Sequence, residues 1–249
     1  MGKKALGVLI LHGFTDTIHS VRILESPLIE LGLHYCIPAL RGHGEGSPEA
    51  LQRVAWQDWV DDAKTAMDDL LRDVEKVIVI GFSMGGLLGI KLAAERPHCI
   101  DSLILLAVPA QLHAPIAPGR PFHFLAPVMM RMLKKWPMIP VYADRELAKE
   151  HDSYSWVPTD SIQSLFDLSI ESRKSMKNIL APTLILQSRK DITVKPKSAD
   201  IIYNEIATPA GEKQVIWFHK SSHQMLRDCE KDSVAREVIE YVKGRLMKG

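Results

Sequence analysis

Cysteine is scarce: the chain carries three, Cys36, Cys99 and Cys229, at wide spacings and with no Cys-x-x-Cys pair. An odd count without paired spacing argues against a disulfide framework. It points to free thiols in a reducing compartment and leaves no cysteine with the neighbours of a metal site. An excess of charge of either sign is lacking too, since 31 Lys plus Arg stand against 30 Asp plus Glu, a formal charge of +1. That balance gives no electrostatic reason to expect nucleic acid or an anionic membrane as a partner. No apolar run approaches the ~20 residues of a membrane span. Lys3 and Lys4 ahead of Ala5–Leu11 imitate the start of a signal peptide. The run ends in His12-Gly13 rather than a small-residue cleavage site, so a buried strand explains it better. A cytoplasmic protein without stable membrane insertion is expected. Internal repeats and low-complexity segments are missing as well.

What is present is enough for one sizeable core: 249 residues, 46% of them hydrophobic. Short apolar runs recur at Leu6–Leu11, Tyr35–Leu40, Val77–Gly81, Leu103–Val108, Thr183–Gln187 and Gln214–Phe218. Uninterrupted runs of this length fit strands covered on both faces, as in a parallel sheet. Amphipathic patterns lie between most of them. Val60, Ala63, Met67, Leu70 and Leu71 make one stripe. Val234, Val238, Ile239, Val242 and Leu246 make another, with Asp232 or Ser233 placed to start that helix. Alternation of this kind predicts a doubly wound α/β sheet with right-handed crossovers.

Between Pro109 and Pro182 the rhythm breaks. Eight prolines from Pro109 to Pro158 crowd the stretch, and no convincing strand appears. Two helical patterns do: Val128, Met129, Met132, Leu133 and Trp136, then Ile162, Leu165, Phe166 and Ile170. The reading is a helical cap over residues 111–178, inserted into a core of residues 1–110 and 179–249.

Gly81-Phe82-Ser83-Met84-Gly85 is the sharpest chemical signal. It follows one strand candidate and opens a helix candidate, Met84–Glu95. In that setting G-x-S-x-G is a nucleophile elbow, which presents the serine hydroxyl above the sheet edge at a helix start. A hydroxyl is a weak nucleophile until an imidazole takes its proton, and the imidazole in turn needs an orienting acid. The expected chain order is Ser, acid, His, each on a loop after a later strand. Asp191 follows the Thr183–Gln187 run, and His223 follows the Gln214–Phe218 run. The rivals fit less well. His219 sits at a strand end and reads as structural, while Asp200 and Glu205 fall on the solvated face of a helix. His43 lies in a Gly-rich loop that lacks the Lys-Ser/Thr of a phosphate site and reads as a turn.

Charge that develops on a carbonyl oxygen needs backbone N–H donors. Met84, at a helix start, is one candidate, and Phe14, in the His12-Gly13-Phe14 loop after the first run, is the other. His12 reads as a brace for that loop. Met129, Met130 and Met132 with Trp136 either line an acyl pocket, since thioethers adapt to varied chains, or only pack the cap onto the body. Trp56 and Trp59 read as core.

In order and spacing, LHGF, RGHG, GFSMGG and the Asp191 and His223 loops resemble the α/β-hydrolase superfamily. The likeness is nearest to small bacterial carboxylesterases of the thermophilic Bacillus/Geobacillus type, which are akin to monoacylglycerol lipases. Trp56-Gln57-Asp58-Trp59, Ala181-Pro182-Thr183 and residues 198–206 support it. The resemblance implies hydrolysis of a small-molecule ester with no cofactor and no metal. It implies a triad of Ser83, Asp191 and His223, oxyanion donors at Phe14 and Met84, and a cap over an acyl pocket with Met129, Met132 and Trp136 as candidates. Feruloyl or cinnamoyl esters, thioesters, and a hydrolase-like ligand-binding protein without turnover are the alternatives. Two departures stand out. Ser222 replaces the glycine that precedes the histidine in many relatives, and almost no chain precedes Leu6 to form the superfamily's leading antiparallel strands.

Overall fold

A computed structural model describes residues 3–150 and 152–248. Six strands form a wholly parallel sheet: β1 (Lys4–Leu11), β2 (His34–Cys36), β3 (Val74–Phe82), β4 (Ile100–Leu106), β7 (Thr183–Ser188) and β8 (Lys213–Phe218). Their order is β2-β1-β3-β4-β7-β8. Every apolar run read from the sequence is in this sheet. The main difference is β2, which stops at Cys36. Pro38 has no N–H to give the ladder, and the chain leaves the sheet there.

Strand residues alternate between two buried faces, which is why the runs are continuous rather than striped. Leu9, Leu11, Val77, Val79, Leu103 and Leu105 face one side. There they meet α2 (Trp56–Leu70), α3 (Met84–Glu95), α5 (Thr159–Ser175) and α6 (Lys197–Glu205). Val8, Ile10, Ile78, Ile80, Ile104 and Leu106 face the other, against α1 (Glu25–Glu30) and α7 (Lys231–Leu246). Most of each expected stripe is buried, Val60, Ala63, Met67 and Leu70 on α2 and Val234, Val238, Ile239 and Val242 on α7, while Leu71, just past α2, and Leu246 are half-buried. Trp59 is fully buried, and Trp56 packs half-buried at the same core. Helix α7 starts at Lys231, just ahead of the expected caps. The Glu230 carboxylate at its N-terminus is engaged instead by the backbone N–H groups of Lys220 and Ser221, at 2.8 and 2.7 Å.

The segment between β4 and β7 contains α4 (Ala126–Met132), α5, and two strands that the sequence did not disclose. These are β5 (Lys135–Pro137) and β6 (Trp156–Pro158), paired antiparallel as a ribbon of their own. Three-residue strands that end in proline carry no readable period. Helix α4 is also shorter than its apolar pattern. It stops at Met132 because Leu133 turns extended (φ −95°, ψ 122°), which moves Trp136 off the helix and into β5. Among the described residues no helix is long and apolar enough to cross a membrane.

Helix α3 crosses β1 so closely that only glycine fits at the contact. A Cβ on Gly85 would lie 2.1 Å from the Leu11 carbonyl oxygen and 2.7 Å from that of His12. Both obstacles are backbone, so neither can swing aside. Gly85→Ala is therefore expected to cost about 3 kcal/mol or more of stability, read as a lowered urea midpoint.

Candidate active site

At the turn from β3 into α3 the chain reverses at Ser83, whose backbone is held at φ 52°, ψ −117°. That region is strained for a residue with a Cβ. The strain is held in place because the Ser83 N–H donates to Leu106 O at 2.8 Å and the Gly86 N–H donates to Ser83 O at 2.9 Å. The side chain is 9% exposed, and its Oγ lies 3.1 Å from Nε2 of His223. On the far side of the ring, Nδ1 lies 2.9 Å from Asp191 Oδ2. An ionised carboxylate can only accept, so Nδ1 carries the proton and the Nε2 lone pair accepts from the serine hydroxyl.

Asp191 is locked from several directions. Its Oδ1 accepts from the Thr193 and Val194 N–H groups, each at 2.8 Å, and its Oδ2 accepts from Gln187 Nε2 at 3.1 Å. Burial works against its charge, but the His223 partner and these hydrogen bonds outweigh it and hold the carboxyl below the usual aspartate range. For His223 burial opposes the cation, while Asp191, its hydrogen bond and the more distant Asp16 together raise the imidazole above its ordinary 6.5. Base catalysis needs the neutral ring. Any turnover that uses this base should therefore fall on the acid side, with a midpoint above 6.5, and stay level as pH rises past it. A kcat/KM profile from pH 5 to 9 checks this.

The loop that carries His223 is braced by two carboxylates that carry no motif in the sequence. Glu230 takes the Lys220 and Ser221 N–H groups. Asp228 takes the Ser222 N–H at 2.7 Å and also ties in the inserted segment through the Ala143 N–H at 2.7 Å. Ser222 itself shows no positive φ, and its hydroxyl donates to Lys190 O at 3.4 Å, so glycine is not required there. The Phe82 ring, tilted by 37° with its centroid 5.4 Å away, packs on the third side of the imidazole.

The loop after β1 turns back at Thr15 (φ 66°), closed by the Asp16 N–H to Gly13 O at 3.3 Å. Among the described residues neither the Phe14 nor the Met84 N–H is given to a protein acceptor. His12 braces the loop as read. Its Nδ1 donates to Gly13 O at 2.9 Å, and its Nε2 accepts the Leu40 N–H at 3.2 Å. Burial lowers its pKa to about 4, so it stays neutral. His43 packs beneath against Phe14 and Trp59 at 5.8 and 5.7 Å, a structural place. His219 is exposed, Asp200 is exposed, and Glu205 pairs with Arg173 at 2.9 Å.

A narrow cleft of about 100 Å³ reaches Ser83 and His223, and Thr15, Asp16 and Gln224 also line it. The inserted segment supplies Leu112, Met138, Ile139 and Leu165 to its lining. Met129, Met132 and Trp136 do not line it. Met132 is 79% exposed, while Met129 and Trp136 pack half-buried against the core. Because α4 ends early, the chain that reaches the cleft is the stretch after β5, not the helix. Among the described residues no group of three or more His, Cys, Asp or Glu is placed to hold a metal ion.

A family model described as serine aminopeptidase, S33, matches residues 2–230. A carboxylesterase of Bacillus subtilis (strain 168) is 28% identical over 243 residues, covering 97% of this chain and 93% of that protein. A thermostable monoacylglycerol lipase of Bacillus sp. (strain H-257) is 30% identical over 239 residues, covering 95% and 90%. Among solved structures, one described for the metagenome-derived lipolytic enzymes LipS and LipT superposes with a TM-score of 0.87. Its identity is 24%, and 97% of this chain and 95% of that one are covered.

Proposed function

Because the chain belongs to the serine aminopeptidase S33 family of α/β-hydrolases, we propose that it hydrolyses carboxylic esters through an acyl-enzyme on Ser83. The observation that carries this is the unbroken line Ser83–His223–Asp191, with contacts of 3.1 and 2.9 Å across one sheet edge. His223 takes the hydroxyl proton as Ser83 attacks the carbonyl. The Phe14 and Met84 N–H groups hold the oxygen that becomes negative. His223 then returns the proton to the alcohol as it leaves, and water repeats the sequence on the acyl-enzyme. Throughout, Asp191 keeps the imidazole in its reactive tautomer and stabilises the cation.

The carboxylesterase and the monoacylglycerol lipase, each matching over nine-tenths of the chain, are named for ester hydrolysis, which favours esters over peptides here. Residues 111–178 act as a cap over the acyl half. The cleft of about 100 Å³ is small beside the roughly 300–1,000 Å³ of sites that enclose drug-sized ligands. Short acyl groups fit it, while longer ones require the Met138–Val141 stretch to move. Three free cysteines agree with action in a reducing, cytoplasmic setting.

A panel of p-nitrophenyl acyl esters, hydroxycinnamate esters, acyl-CoAs and an amino-acid p-nitroanilide tests the proposal. The expected order places p-nitrophenyl butyrate above p-nitrophenyl palmitate, with the anilide slowest. Faster turnover of the anilide than of any ester contradicts it.

A further inference from the structure

Asp16 lies in the loop after β1 and is 1% exposed, yet it lines the same cleft as Ser83 and His223. Its carboxyl folds back over the loop, so that a Cβ on Gly13 would come within 2.7 Å of Oδ2. On its other side stands Gln224, the residue after His223. Among the described residues, the Gln224 Nε2 group is the donor to this carboxyl, at 3.3 and 3.4 Å. Two long contacts from one amide leave most of the roughly four lone-pair sites of a carboxylate without a donor. Burying a carboxylate so thinly bonded is costly unless a ligand completes it. Consistent with that, burial raises its pKa to about 6, although His223, Gln224 and Arg227 oppose the rise.

Position says which half of an ester meets it. The nitrogen that takes the serine proton later gives it to the leaving oxygen, so the alcohol half lies on the imidazole side. Asp16 adjoins that side through Gln224, whereas the inserted segment contributes apolar Leu112, Met138, Ile139 and Leu165. We propose that Asp16 is a specificity residue for the alcohol half, accepting a hydrogen bond from a free hydroxyl next to the ester, so that the preferred substrates are monoesters of polyols. This rests on the ester-hydrolase reading given above. A hydroxyl suits the site better than a quaternary ammonium group, because what the carboxyl lacks is a hydrogen-bond donor.

The test compares 1-monobutyrylglycerol with propyl butyrate, which share an acyl group and a three-carbon alcohol, and adds butyrylcholine as the cationic ester. Wild-type protein is expected to favour the glycerol monoester in kcat/KM by about tenfold. The ratio should fall towards one in Asp16→Ala and lie between in Asp16→Asn, whose amide oxygen accepts without charge. A ratio taken within one preparation does not depend on how much of a variant is folded. A purely structural role would lower both esters equally and leave the ratio as it was, which overturns the inference. So does a wild-type ratio near one, or a preference for butyrylcholine over the glycerol ester. Ser83-dependent cleavage of propyl butyrate without polyol preference removes the role of Asp16 and leaves the ester-hydrolase reading standing. Cleavage of neither ester removes both.

Discussion

Ser83→Ala should lower turnover of p-nitrophenyl butyrate by about 10⁴–10⁶-fold while the protein still folds. The side chain is small and 9% exposed, and its hydroxyl meets one buried partner, Nε2 of His223 at 3.1 Å. Its loss opens almost no cavity, and alanine suits the elbow no worse than serine does. On the proposed mechanism, what disappears is the atom that becomes acylated. His223→Ala should cost a similar factor, since an unassisted hydroxyl attacks slowly at neutral pH. Because the two act as one unit, the double variant should lose little beyond either single one. Residual hydrolysis would come from binding and from the Phe14 and Met84 N–H groups. Loss in the double variant equal to the product of the two single losses would mean that they act independently. A drop of less than about 100-fold in Ser83→Ala would place the nucleophile elsewhere.

Asp191→Asn should cost about 10⁴-fold in kcat at neutral pH, and the hydrogen-bond pattern says why. Oδ1 accepts two backbone N–H groups at 2.8 Å, so the amide of an asparagine must place its oxygen there. Its NH₂ group then faces Gln187 and His223 Nδ1, where Oδ2 now accepts at 3.1 and 2.9 Å. A donor facing Nδ1 forces that nitrogen to accept, and the ring proton moves to Nε2. The imidazole then points a proton, not a lone pair, at Ser83. Geometry survives while the tautomer is wrong. The nitrogen shifts of His223, read by NMR in the variant, should show Nε2 protonated. An unchanged tautomer with activity lost would require another explanation.

The fold was largely legible because every central strand is buried on both faces. Valine, isoleucine and leucine runs such as Val77–Gly81 have nothing else to become in a chain of this length. The elbow was legible for a different reason. A strained serine between a strand and a helix needs Gly81 and Gly85 at close contacts, and those glycines are visible as letters. Asp191 and His223 followed from loop position. The carboxylates that hold the His223 loop, Asp228 and Glu230, left no such mark. Their partners are backbone N–H groups brought near by the turn itself, and no side-chain pattern announces them.

The inserted segment is the least legible part of the sequence, and α4 shows why. Val128, Met129, Met132, Leu133 and Trp136 keep helical spacing, but the helix stops at Met132, and two short proline-ended strands take over nearby. Periodicity counts residues as if the backbone continued, and cannot see Leu133 turn extended. The candidates at the cleft slipped accordingly, from Met129, Met132 and Trp136 to Met138 and Ile139 a few residues on. Asp16 carries no mark in the sequence although it stands two residues after Phe14. A carboxylate in a loop reads as solvated, and its 1% exposure is a tertiary fact.

Reaction with a fluorophosphonate followed by peptide mass mapping asks directly which residue is the nucleophile. One covalent adduct per chain is expected on the peptide that contains Ser83, and none in Ser83→Ala. An adduct on another residue, or undiminished labelling of Ser83→Ala, would contradict it.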